Sequence, residues 1–110
     1  MRLGIIVAAC CVMFVACHKE QQLETTVIAA NSMVCGMCAE TVQKAVYAIE
    51  GVKEVDVNLG NKTVEVKFVH AQTNVETIEM AISDAGYDAN KRKRNPGAYE
   101  NLKNCCKIDG

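Results

Sequence analysis

The sequence predicts an α+β fold in which an antiparallel sheet carries two helices on one face. Three observations lead there. Val55, Val57 and Leu59 alternate with Glu54, Asp56 and Asn58, and Val64, Val66 and Phe68 alternate with Thr63, Glu65 and Lys67, on either side of a Gly60-Asn61 turn. Period two flanking a turn is the mark of a hairpin of half-buried strands. Val42, Ala45, Val46 and Ile49 follow helical spacing before that hairpin, and Val75, Ile78, Ile82 and Ala85 follow it again afterwards. Each stripe gives a helix one apolar face to lay on the sheet.

The elements follow in order. Leu23 to Ala30 is rich in β-branched residues and reads as the first strand. Asn31 to Cys35 reads as a loop, the first helix runs on from Cys38, and Gly51 suits its stop. After the hairpin, Thr73-Asn74-Val75-Glu76 has the hydroxyl-to-glutamate spacing of a capping box, with Thr73 as the cap. Gly86 ends the second helix, and Tyr87 to Asn90 completes the pattern as a fourth strand. The order β-α-β-β-α-β is the split-βαβ, ferredoxin-like arrangement, a sandwich of one sheet and two helices. A chain of 110 residues holds one such domain.

The N-terminus reads as a targeting segment. Leu3 to Ala16 is almost wholly apolar and follows Arg2. It is too short for a bilayer-spanning helix, which needs roughly 20 residues, and fits the apolar region of a secretory signal. Phe14-Val15-Ala16-Cys17 resembles the bacterial lipoprotein signal, with Phe14 in place of the usual leucine; Val7-Ala8-Ala9-Cys10 resembles it too but leaves a very short apolar stretch. The expected organisation is a signal at 1–16, a tether at 17–22 lipidated on Cys17, a domain at 23–90 and a basic, cysteine-containing tail at 91–110. Such a chain faces the periplasm from the bacterial cell envelope, attached to the membrane by its lipid anchor. Twelve basic and 13 acidic residues nearly balance, which with export argues against nucleic acid as a partner.

Seven cysteines are present. Cys10 and Cys11 leave with the signal and Cys17 carries lipid, so Cys35, Cys38, Cys105 and Cys106 remain as thiols. In an oxidising compartment disulfides are the default use. Cys35 and Cys38, however, lie three positions apart where a loop enters a helix, so both can face one point. A helix N-terminus offers partial positive charge and unpaired N–H groups, which favour an anion. Thiolate is the form that ligates metal, and soft sulfur selects Cu(I), Zn(II) and related ions over hard cations. Gly36 gives the loop backbone freedom to turn.

Met33, Cys35 and Cys38 form an M-x-C-x-x-C motif after the first strand. With Ile49-Glu50-Gly51-Val52 and Asp84-Ala85-Gly86-Tyr87, it resembles the heavy-metal-associated domain family over roughly residues 25–90. That family includes copper chaperones, metal-binding domains of copper ATPases and a mercury-binding periplasmic protein. The resemblance implies that Cys35 and Cys38 bind the metal, that Met33 packs inward to support the loop, and that Tyr87 stands beside the site. It implies Cu(I) first, with Zn(II), Cd(II) or Hg(II) as alternatives, and a metal-transporting ATPase or another metal-binding domain as partner. The chain departs from the family at Ser32, where glycine is usual, so a stiffer loop is expected.

C-x-x-C is also a redox motif. Against an oxidoreductase stand the order of elements and the position of Pro96, the sole proline, out in the tail rather than opposite the motif. Cys105-Cys106 has three readings: a disulfide, a dimerising pair, or two further ligands in a four-thiolate site suited to Zn(II) as well as Cu(I). The last requires the tail to return over one strand length, roughly 20 Å, along extended residues and a short helix from Pro96. Met37 is expected to be exposed and not a ligand, and His18 and His70 to be solvated. The run Lys91 to Arg94 is either a solvated edge or a dock for an acidic partner or anionic lipid.

Overall fold

The computed structural model describes residues 22–103, 106 and 107. Among these residues are three strands, β1 (Leu23–Ala29), β2 (Val52–Asn58) and β3 (Thr63–Val69), and three helices, α1 (Gly36–Tyr47), α2 (Val75–Asp84) and α3 (Pro96–Glu100). The sheet is antiparallel in the order β1-β3-β2. This is the α+β architecture the alternation implied.

Register explains which face is buried. Ile28 stands opposite Val64 across β1 and β3, and Val55 and Val57 stand opposite Val66 and Val64 across β2 and β3. Ile28, Val55, Val64, Val66 and Phe68 point into one core with Val42 and Val46 of α1 and Ile78 and Ile82 of α2. Each fully buried side chain of this kind is worth about 1.5–3 kcal/mol of transfer free energy. Glu54, Asp56 and Glu65 take the opposite, exposed face, where Lys67 Nζ lies 3.5 Å from Glu54 Oε2. Gly51 has φ +100°, and a Cβ there would fall 2.7 Å from Gln72 Cβ. The turn into β2 therefore needs glycine on both counts.

Three sequence expectations change. Asn74, not Thr73, caps α2: its Oδ1 accepts from Thr77 N at 2.9 Å, while Thr73 is buried behind it. Asparagine is at least as good a cap as threonine, and the residue at the boundary took the role. Leu59 falls outside β2 and is exposed. Tyr87 to Asn90 does not extend into a fourth strand. Asn90 meets the end of β1 through two bonds, its N–H donating to Ala29 O at 2.7 Å and its Oδ1 accepting from Ala29 N at 2.9 Å. At φ 55° it then turns the chain, and Ala89 and Arg92 close the turn with paired backbone bonds of 3.0 and 2.9 Å. Asparagine tolerates this left-handed conformation better than most residues.

The chain after Asn90 therefore comes back at once. Asn95 N donates to Ser83 O at 3.0 Å and Ser83 Oγ to Lys93 O at 2.7 Å. Asn95 caps α3 through a 3.1 Å bond from Ala98 N, with Pro96 in the first turn. Tyr99 is buried, and the Arg94 guanidinium lies 3.9 Å from its ring centroid. Of the basic run, Arg92 and Arg94 thus turn back onto the fold, toward Glu79 and Asp88, and Lys91 and Lys93 are exposed. No helix among the described residues is long and apolar enough to cross a membrane. The segment 1–16, Cys17, His18 and Cys105 lie outside the described residues.

Candidate metal centre

Cys35 is the N-cap of α1, with extended backbone at φ −151° and ψ 171° and no side-chain capping bond. Its thiol stands at the helix mouth. Cys38 lies one turn on and is fully buried, and the two sulfurs stand 3.2 Å apart. The first turn holds no carboxylate, so the positive end of the helix faces the sulfurs without a competing side-chain anion of its own. Gly36 is already helical, outside the left-handed region, and a Cβ on it would meet nothing within 4 Å. The conformational freedom expected of it is not used here.

Met33 is fully buried and takes part in the core, and its N–H donates to Ala30 O at 3.0 Å, tightening the loop ahead of the cysteines. Ser32 does more than stiffen this loop in isolation. It is fully buried, and its Oγ accepts from Asp88 N at 2.8 Å, which ties the loop before Cys35 to the segment after Tyr87. The departure from glycine marked the position, but its distant partner could not be read from spacing.

Tyr87 is fully buried. Burial raises its pKa well above the usual tyrosine value, and proximity to Cys38 and then Cys106 raises it further. The phenol therefore keeps its proton and stands as a potential donor toward the sulfurs, although its geometry here falls short of a regular hydrogen bond. Met37 and Val34 are exposed on either side of Cys35. His70 is on the surface beside Glu24, with Nδ1 3.0 Å from Oε1, and is not part of the cluster.

The tail brings a third sulfur. Cys106 Sγ lies 3.4 Å from Cys35 Sγ, and the sulfurs of Cys35, Cys38 and Cys106 all fall within 4.8 Å of one another. No disulfide joins Cys35, Cys38 and Cys106 to one another. The set is soft, compact and partly shielded, the donor chemistry that suits a thiophilic ion and not a hard one.

Known proteins resemble the part of the chain that carries Cys35 and Cys38. The sequence profile of the heavy-metal-associated domain matches residues 27–88. A probable copper-exporting P-type ATPase of Archaeoglobus fulgidus is 39% identical over 69 residues, which is 63% of this chain and 8% of that protein. The periplasmic component of a mercuric transport system from Pseudomonas aeruginosa is 34% identical over 70 residues, 64% of this chain and 77% of that one. Among solved structures, oxidized MerP from Ralstonia metallidurans CH34 superposes with a TM-score of 0.60 at 35% identity, covering 62% of this chain and 94% of MerP. The CopZ metallochaperone gives 0.59 at 35% identity, covering 60% and 98%.

Proposed function

Because this chain belongs to the heavy-metal-associated domain family, we propose that it holds one soft thiophilic ion, Cu(I) first, between Cys35 and Cys38 and passes it to a partner. The observation that carries the reading is the pair of sulfurs 3.2 Å apart at the mouth of α1. Transfer proceeds by ligand exchange. A partner thiolate forms a bond to the ion before the bond to Cys35 or Cys38 breaks, and the released sulfur takes up a proton. Cys35, only partly buried, is the sulfur open to that approach. The partner is a metal-transporting ATPase or another domain of this kind, a reading supported by the likeness to an ATPase segment. The chain acts as a binding and transfer module rather than an enzyme.

A second reading is Hg(II) as cargo, supported by the 34% identity to a mercuric periplasmic protein that this chain matches over 77% of its length. The same relative supports a periplasmic place for this chain, reached through the 1–16 signal and held by lipid on Cys17. Metal content of the purified, reduced protein after competition among Cu(I), Zn(II) and Hg(II) decides between the cargoes. Cu(I) retained over the other two supports the first reading, and preferential retention of Hg(II) the second.

A further inference from the structure

We propose that Cys106 is a third ligand of the same centre, so that the tail closes the two-cysteine site into a three-thiolate one that retains its ion. The proposal rests on the reading that Cys35 and Cys38 hold the metal, and it goes beyond the M-x-C-x-x-C motif to a residue outside the matched segment 27–88.

Geometry supports it first. Three sulfurs each about 2.3 Å from one ion in a plane stand about 4 Å from one another. Here two of the separations are 3.2 and 3.4 Å and none exceeds 4.8 Å. Shifts of well under an ångström in each side chain admit an ion at the centre. Such a site forms when three thiols release three protons and their sulfurs each bond to the ion, with no change of oxidation state.

The tail is also built to deliver that sulfur. Gly86, at φ +103°, lies against the returning chain: a Cβ there would stand 3.2 Å from Ala98 C, Tyr99 N and Leu102 Cδ1. Its missing side chain leaves the seat on which α3 and Leu102 rest. Leu102 packs on the core, and Cys106 N donates to Lys103 O at 2.8 Å in the turn that follows. Cys106 ends at 4% exposure, inside the same core as Cys38. A cysteine serving only as a surface thiol has no need of this burial. A third thiolate adds a bond to the ion at little further ordering cost, because Cys106 is already seated in the core.

The consequence is slower release. A partner thiolate entering at Cys35 must displace two buried sulfurs rather than one, and the last of them leaves only if the tail gives way. The centre then serves to retain the ion until a partner engages both the metal loop and the tail.

The test uses the full chain, purified reduced and loaded with one equivalent of Cu(I). X-ray absorption at the copper edge should count three sulfurs in the wild type and two in Cys106→Ser. Transfer to a Cu(I) chelator should accelerate roughly tenfold or more in the variant. Two sulfurs in the wild type, or three in Cys106→Ser with an unchanged transfer rate, would overturn the proposal. The wild-type count requires no variant, so a folding defect in Cys106→Ser cannot hide a negative result. A wild type that binds through two sulfurs, both lost in the Cys35→Ser/Cys38→Ser double variant, would refute the third ligand and leave the two-cysteine reading standing. Copper bound undiminished by that double variant would refute both.

Discussion

Tyr87 is placed to act on the proposed ligands without bonding to the ion itself. Its phenol is buried close to Cys38 and Cys106 and keeps its proton. A donor aimed at ligating sulfur disperses thiolate charge, and losing such an outer partner typically costs on the order of tenfold in metal affinity. Tyr87→Phe keeps the ring and removes the donor. Chelator competition should show roughly that loss with the thermal midpoint little changed; equal affinity would reduce Tyr87 to packing. Ser32 acts on the loop instead. In Ser32→Ala the part-buried Asp88 N–H loses its acceptor, at a cost of about 1 kcal/mol. Urea denaturation of the metal-free protein should register it, and an unchanged midpoint would show that the tie carries no weight. The meeting of Cys35 and Cys38 at the start of α1 was legible in the sequence because C-x-x-C spacing is a local signal. Ser32 and Asp88 are 56 positions apart, and no periodicity joins them.

At the scale of elements, the two period-two runs and the two helical stripes marked the hairpin and both long helices, because each element buries one face against a single core. The last strand could not be read the same way. Tyr87 to Asn90 is too short to carry a period, and it is cut off by the left-handed turn at Asn90. That turn matters more than the lost strand. It replaces a return of one strand length with an immediate one and seats α3 against Gly86. Gly86 was legible as a helix stop but not as the floor of the tail. Gly86→Ala should strain the backbone and lift the tail from its seat. Fluorescence or limited proteolysis should find the region after Asn90 more open, and Cu(I) transfer to a chelator faster. Proteolytic protection and transfer rate both equal to the wild type would contradict this account of Gly86.

For the whole molecule, the proposed lipid anchor rests on residues 1–17 alone. In cells, Cys17→Ser should release the chain from the membrane fraction or block its processing, and unchanged attachment and size would remove the lipid anchor from the account. The binding-module reading predicts negligible turnover in an insulin disulfide-reduction assay. Efficient turnover would instead make Cys35 and Cys38 a redox pair, which their 3.2 Å separation also permits chemically. Redox and metal roles compete for the same two thiols, so the distinction lies in affinity. The most direct measurement is Cu(I) affinity of the reduced full chain, by chelator competition, in the wild type and in Cys35→Ser/Cys38→Ser. Tight binding that falls by orders of magnitude in the double variant, with secondary structure intact by circular dichroism, is the expected result. Binding of equal strength in the two proteins would contradict the assignment of the centre.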